Sequence, residues 1–143
     1  MATHSLTVPT SPRTALAADP AGRLRLVLTT NAATSLAAGL VAVLAAGWCV
    51  EELGLQSEGW TRVVGAGLVL FAADVALGAR SRRRLATTAL LTSVADLAWV
   101  AATAVVLATV DLTTAGRVVA VVMGVGVLDF ALLQLWFRSR LLR

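Results

Sequence analysis

Three aspartates interrupt long apolar stretches of this sequence and are the residues best suited to chemistry. Asp74, Asp96 and Asp129 each stand among uncharged neighbours. An aspartate at the centre of a membrane-inserted helix costs about 2.5 to 3.5 kcal/mol, so it needs a compensating role. One role is to hold and exchange a proton in a transport cycle. The other, which is simpler, is to bond neutral polar groups on neighbouring helices and fix the helix register. The sequence leaves both open.

Other polar and small residues recur near these aspartates at the three- and four-residue spacing of a helix face. Polar side chains in membrane helices find partners only inside the bundle, and small residues allow close approach there. We therefore predict one inner polar seam to which all four apolar stretches contribute: Asn31, Thr34, Ser35, Asp74, Thr92, Ser93, Asp96, Trp99 and Asp129. On the fourth stretch, the same prediction turns Gly126, Asp129, Leu132 and Trp136 inward.

Several kinds of site are excluded by composition. Cys49 is the only cysteine, His4 is the only histidine, and the chain contains no lysine. One chain therefore cannot form a disulfide, a Cys/His metal site, a lysine-containing phosphate loop or a histidine-activated nucleophile in a folded site. We expect no enzyme, no catalytic residue, no cofactor and no metal. The net charge of +4 lies at segment ends without interleaved aromatic residues. Nucleic acid is therefore not an expected partner.

The composition indicates an integral membrane protein. Of the 143 residues, 58% are hydrophobic and 14% are charged, whereas an average soluble domain is roughly 25% charged. About 20 apolar residues in a helix cross the ~30 Å hydrocarbon layer. We predict an all-α bundle of four transmembrane helices within residues 23–143, with spans at about 26–50, 62–79, 85–110 and 117–137. Residues 1–22 contain all three prolines and are predicted to be a disordered cytoplasmic tail.

The first span has a rival interpretation as a signal peptide. Ala45-Ala46-Gly47 resembles a cleavage site, but the apolar run before it exceeds the usual ~7 to 15 residue core and follows a long tail. A membrane span is the better interpretation.

Orientation follows from the arginines. Ten of the 12 basic residues lie at the two termini or between the second and third spans, and only Arg62 and Arg117 border the other side. We expect the protein in the inner (plasma) membrane, and the positive-inside rule places both of its termini in the cytoplasm. The turn between the second and third spans is also a candidate contact for anionic lipid headgroups: Arg80, Arg82, Arg83 and Arg84.

The two halves of the chain share short patterns. Thr29-Thr30 and Thr34-Ser35 in the first span recur as Thr87-Thr88 and Thr92-Ser93 in the third. Either the chain is a 2+2 tandem repeat, or helices rich in alanine, valine and threonine match by chance. Both explanations stay open.

Three segments resemble small four-span bacterial membrane proteins that are usually left uncharacterised: Arg62-Val63-Val64-Gly65-Ala66-Gly67-Leu68, Ala95-Asp96-Leu97-Ala98-Trp99-Val100 and Ala115-Gly116-Arg117. The likeness covers residues 23–143 and implies no activity. Small multidrug exporters differ, since they carry a glutamate in the first span where this chain has Asn31.

Two functions are therefore expected. The first is a non-enzymatic membrane component that is structural or binds a partner. The alternative is a small oligomeric proton-coupled transporter or channel that uses the aspartates. The expected partners are the lipid bilayer and either a second copy of the chain or another membrane protein.

Overall fold

The computed structural model describes residues 19–143, which are helical and contain no strand. The helices are α1 (Pro20–Leu44), α2 (Ala46–Leu53), α3 (Glu58–Arg80), α4 (Leu85–Thr109) and α5 (Thr114–Leu141). Four of them, α1, α3, α4 and α5, are long and apolar enough to cross a membrane. The predicted all-α, four-span class is confirmed. Of the predicted tail, residues 1–18 lie outside the described range, and Pro20 already belongs to α1.

Three of the long helices begin at a side-chain cap. The carboxylate of Asp19 accepts a hydrogen bond from the Gly22 amide at 3.0 Å. The hydroxyls of Ser57 and Thr113 likewise accept from the amides of Trp60 and Gly116. Such caps satisfy N–H groups that the first helical turn leaves without partners. For this reason α3 and α5 begin a few residues before the apolar spans predicted at 62 and 117.

The first span ends earlier than predicted. Ala45 leaves the helical conformation with φ −119° and ψ 35°, and the chain continues as the short helix α2. Ala46 and Cys49 of α2 are buried, so this segment packs on the bundle instead of extending α1 to residue 50. Gly54 ends α2 with φ 73°, a left-handed conformation that favours glycine. The loop to α3 is therefore much shorter than the predicted polar segment from residue 51.

The end of α2 is tied to the beginning of α5. Thr113 donates its backbone N–H to the carbonyl of Leu53 at 3.2 Å, and its hydroxyl donates to the carbonyl of Glu52 at 2.6 Å. The same hydroxyl oxygen caps α5. One threonine thus joins the two loops at this end of the bundle.

The four long helices run alternately up and down, and α1 is central. It packs most extensively on α3 and also against α5, while α4 packs mainly on α5. Although a short turn joins α3 to α4, these two helices contact each other little. The order around the bundle is therefore α3, α1, α5, α4, with the loosest junction between α3 and α4.

The best-packed apolar core lies at what we call the arginine end, where α1 begins, α3 turns into α4, and α5 ends. Leu24 and Leu28 of α1 are fully buried there. They belong to one cluster with residues of α3 and α4, against which Phe137 and Leu141 of α5 pack. The buried members of that cluster are Leu24, Leu28, Ala32, Ala72, Val75, Ala79, Leu85 and Ala89.

Two glycines set the close approach of α1 and α3. A Cβ atom on Gly65 would lie 2.8 Å from the carbonyl oxygen of Gly39, and one on Gly39 would lie 2.7 Å from that of Gly65. Real Cβ contacts are essentially never this short, so any side chain here would push the helices apart. Small residues at such crossings are the usual way membrane helices pack tightly. A Cβ on Gly67, by contrast, would meet nothing within 4 Å.

We expect Gly65→Ala to destabilise the bundle by roughly 1 to 3 kcal/mol, because it overfills the crossing of α1 and α3. The matched control is Gly67→Ala in the same helix, which adds the same methyl group in open space. It is expected to leave the stability unchanged or to raise it by a few tenths of a kcal/mol, since alanine is the better helix former. Unfolding of both variants in mixed detergent micelles measures the difference. Equal stability of the two variants would contradict this packing.

Candidate functional site

Asp96 stands at the centre of a polar cluster that joins three helices. It lies near the middle of α4 and is only 4% exposed. Its Oδ2 atom accepts a hydrogen bond from Nδ2 of Asn31 in α1 at 2.8 Å and another from Nε2 of Gln134 in α5 at 3.1 Å. Both amide residues are fully buried or nearly so. A single carboxylate oxygen therefore bonds α4 to both α1 and α5.

Serine hydroxyls lie behind both amides. Ser35 donates to Oδ1 of Asn31 at 3.3 Å, and Ser93 lies within 3.2 Å of Oε1 of Gln134. An amide whose carbonyl oxygen accepts a hydrogen bond presents its NH₂ group on the other side. Ser35 thus favours the orientation of Asn31 that donates to Asp96, and Ser93 does the same for Gln134 when its hydroxyl turns towards Oε1. We call Asn31, Ser35, Ser93, Asp96 and Gln134 the central cluster.

Ser93 also anchors the cluster to the helix backbone. Its hydroxyl lies 2.7 Å from the carbonyl oxygen of Ala89 in its own helix and 3.4 Å from that of Ala131 in α5. One hydroxyl hydrogen serves one acceptor at a time. The bond to Ala89 is the shortest, and the contact with Gln134 is the longer alternative.

Helix geometry explains why these residues meet. Asn31 and Asp96 are each eleven residues from the start of their helices, about 16 Å from the arginine end at 1.5 Å per residue. Gln134 is seven residues from the end of α5, about 10 Å from the same side. Its longer side chain covers part of the difference. The fully buried Ala131, one turn before Gln134, lets α5 approach α4 closely.

No basic side chain in residues 19–143 pairs with Asp96. The one ion pair found in that range joins Arg62 to Glu58 at 2.7 Å on the surface of α3. The donors to Asp96 are neutral amides instead. Every fully buried side-chain nitrogen or oxygen that the structure describes has a hydrogen-bond partner. The central cluster therefore meets the requirement that polar groups inside a membrane bundle be satisfied internally.

A cavity of about 200 Å³ lies next to Asp96, between the four long helices. Its lining is apolar except for Asp96, and it contains Ala38, Gly67, Leu68, Phe71, Ala95, Asp96, Trp99, Met123 and Val127. Oδ1 of Asp96 accepts no hydrogen bond from the described residues, yet no fully buried polar atom among them lacks a partner. Oδ1 therefore keeps accessible surface. Because Asp96 lines the cavity, that surface opens into it.

The structure brings only part of the predicted seam together. Asn31, Ser35, Ser93 and Asp96 meet in the central cluster, and Thr92 is buried beside them in α4. Trp99 lines the cavity and is 37% exposed. Thr34 is exposed, and its hydroxyl bonds the carbonyls of its own helix.

Asp74 and Asp129 are the main corrections to the predicted seam. Both are exposed, and in the described part of the chain neither hydrogen-bonds a member of the central cluster. Asp129 lies on the face of α5 opposite the buried Ala131 and Gln134. Asp74 follows Phe71 by one turn, on the side of α3 that lines the cavity. The fourth span turns Ala131 and Gln134 inward. As a result Asp129, Leu132 and Trp136, which were predicted to face the interior, lie outward.

Gln134 is the one member of the central cluster that the sequence prediction omitted. Helical spacing does not identify Gln134, but its side-chain type does, because it is the only amide in the predicted fourth span, as Asn31 is in the first. A neutral amide in an apolar span is a natural partner for a carboxylate in another span.

The predicted lipid-contact arginines lie at the arginine end. Arg80 ends α3, and Arg82, Arg83 and Arg84 lie in the turn to α4, all exposed. A different arginine has a structural contact nearby: Nε of Arg138 donates to the carbonyl of Ala86 at 3.0 Å and holds the end of α5 against α4.

Comparison with known proteins gives no match: no family model, no curated protein and no solved structure is similar to this chain. Among residues 19–143, no group of three histidine, cysteine or acidic side chains is placed to hold a metal ion. The role of the protein is therefore inferred from the geometry of the chain itself.

We expect Gln134→Met to lower the stability of the bundle by about 1 kcal/mol, the usual size of a hydrogen bond between membrane helices. The substitution keeps most of the side-chain volume and removes one of the two donors to Asp96. Leu133→Met is the matched control, because Leu133 is the adjacent residue and is 42% exposed. Unfolding in mixed micelles should separate the two variants. If Gln134→Met is as stable as the control, the hydrogen bond to Asp96 contributes nothing.

Proposed function

We propose that this protein is a non-enzymatic component of the bacterial inner membrane, with both termini in the cytoplasm, that works as a dimer paired through α5. The four apolar helices are those of a multi-pass membrane protein. We infer the pairing from the position of Asp129, which lies on the outer face of a membrane-spanning helix.

Asp129 lies too deep in the membrane to be hydrated from either side. It is nine residues from Arg138 and fifteen from Thr114, or about 14 Å and 22 Å along α5. A carboxyl group facing lipid at that depth costs about 2.5 to 3.5 kcal/mol. Asp74 is also exposed but is six residues from Arg80, about 9 Å, within reach of arginine side chains and water. Asp129 alone therefore needs a partner.

A second copy of this chain supplies that partner. The spans hold no lysine, arginine or histidine at the depth of Asp129, so the chain offers it no cation. Two-fold pairing of α5 places the Asp129 side chains of the two copies against each other. Two carboxyl groups that face each other across the interface hydrogen-bond each other and are shielded from lipid there. Gly126, one turn away, has no side chain to keep a second helix at a distance, and within this chain no atom lies within 4 Å of its Cβ position.

We expect Asp129→Leu to weaken dimerisation about tenfold or more, which corresponds to about 1.4 kcal/mol or more. Asp129→Asn is expected to retain most of the association, because two amides also hydrogen-bond across the interface. Single-molecule photobleaching in liposomes over a range of protein-to-lipid ratios measures the monomer and dimer fractions.

Asp74→Leu is the control, since it removes the other exposed aspartate and should leave the dimer fraction unchanged. A wild-type protein that stays monomeric at every density would contradict pairing of two copies and favour a different membrane protein as the partner. So would an Asp129→Leu variant that dimerises like the wild type.

The distribution of charge supports the proposed orientation. The arginine end carries Arg23, Arg80 and Arg138 among others. The opposite end has acidic residues near its loops: Glu51, Glu52, Glu58 and Asp111. Basic residues are retained on the cytoplasmic side of a bacterial membrane. A membrane surface with anionic lipids also attracts such a cluster by roughly 1 kcal/mol per basic residue.

We expect a reporter that is active only in the cytoplasm to be active when fused after Arg143, and one that is active only outside to be silent there. Fused in the loop at Gly54–Ser57, the two reporters should give the reverse result. Extracellular activity of the C-terminal fusion would overturn the proposed orientation.

A second candidate function is a small carrier that uses Asp96. This function is favoured by the two oxygens of Asp96: Oδ2 accepts hydrogen bonds from two amides, whereas Oδ1 is accessible from the cavity. A purely structural aspartate has no need of an accessible oxygen in an apolar cavity. An intramembrane carboxylate in such a position is a typical proton or ligand site.

A further inference from the structure

The cavity beside Asp96 combines a single carboxylate oxygen with an apolar wall. Asp96 is 4% exposed, and its Oδ1 atom is the side of the carboxylate that the amides leave free. Phe71 and Trp99 line the same space. Apolar cavities with a few convergent polar groups are the usual form of small-molecule sites.

We propose that this cavity binds a small organic monocation, an ammonium group carried on an apolar body. The ammonium would donate a hydrogen bond to Oδ1 of Asp96, and the apolar body would fill the space along Phe71 and Trp99. The cavity volume of about 200 Å³ equals roughly seven water molecules at ~30 Å³ each. That is the size of a phenylethylammonium ion.

The charge of the ligand follows from the donors around Asp96. Two neutral N–H groups reach Oδ2, and no arginine in the described part of the chain pairs with the carboxylate. In surroundings of low dielectric constant, an ionised Asp96 attracts a cation strongly. A neutral ligand of the same shape lacks this attraction, and an anion is repelled. Aromatic side chains add favourable contacts for an ammonium ion.

The path of entry follows from the packing of the helices. Gly67 and Phe71 belong to α3, and Asp96 and Trp99 belong to α4. These two helices form the loosest junction of the bundle. A lipophilic amine that partitions into the bilayer therefore reaches the cavity sideways, between α3 and α4.

Binding is tested with radiolabelled phenylethylamine on the full-length protein in phosphatidylcholine nanodiscs, with empty nanodiscs subtracted. The wild-type protein should bind it saturably, and unlabelled phenylethanol, which has the same body without the charge, should not compete. This inference rests on the cavity of the second candidate function. The assay measures binding alone, without transport or dimerisation. Absence of amine binding would therefore not argue against the α5 pairing, which the photobleaching experiment tests separately.

Two variants with matched controls locate the site. Asp96→Asn keeps the shape of the side chain but removes its charge, and should weaken binding about tenfold or more. Its control is Asp111→Asn, the same change at an exposed residue in the loop before α5. Gly67→Leu fills the cavity while leaving Asp96 in place, and nothing lies within 4 Å of the added Cβ. It should likewise weaken binding about tenfold or more, whereas Gly59→Leu at the exposed start of α3 should not.

Saturable binding that weakens about tenfold or more in Asp96→Asn and Gly67→Leu but is unchanged in both controls supports the proposal. Absence of saturable binding in the wild type overturns it, as does binding that both cavity variants retain. Competition by phenylethanol equal to that of unlabelled phenylethylamine overturns the assignment of a cation. If Asp96→Asn does not fold, Gly67→Leu and its control still decide the result.

Discussion

A carboxylate half-way through a membrane must take its hydrogen bonds from other helices, and the rest of this bundle depends on how Asp96 does so. Asn31 and Gln134 approach the same oxygen from α1 and α5. This requirement fixes the rotation of three helices about their axes and the depth at which they meet. Hydrophobic burial cannot do this alone, because lipid is as apolar as the side chains that pack inside the bundle.

The remaining packing is divided between the two ends and the middle. The arginine end is closed by an apolar core around Leu24 and Leu28, and the opposite end by the bonds of Thr113 to the end of α2. The crossing at Gly39 and Gly65 draws α3 onto α1. Because α3 is held there and α4 is held on α5, neither fills the space in front of Asp96. The cavity is the consequence, and it leaves one oxygen of the carboxylate accessible.

The sequence was sufficient to predict the four spans, the all-helical class and the meeting of Asn31, Ser93 and Asp96, because charges and amides are conspicuous in apolar segments. It was insufficient to predict which way α5 turns. Both faces of that helix are apolar, so periodicity does not distinguish the interior from the lipid. Asp129 was therefore assigned inward and Gln134 was overlooked. The break at Ala45 was also missed, because neither glycine nor proline marks it. Only the contact between packed helices decides these features.

One oxygen of Asp96 accepts hydrogen bonds from two amides of different helices, and solid-state NMR of the labelled protein in lipid bilayers can detect both contacts. Carbon–nitrogen correlation spectra should show through-space cross-peaks from the side-chain carboxyl carbon of Asp96 to the amide nitrogens of both Asn31 and Gln134. Loss of one cross-peak in Gln134→Met would assign it. Spectra in which neither amide correlates with Asp96 would contradict this arrangement and leave the bundle without its central interaction.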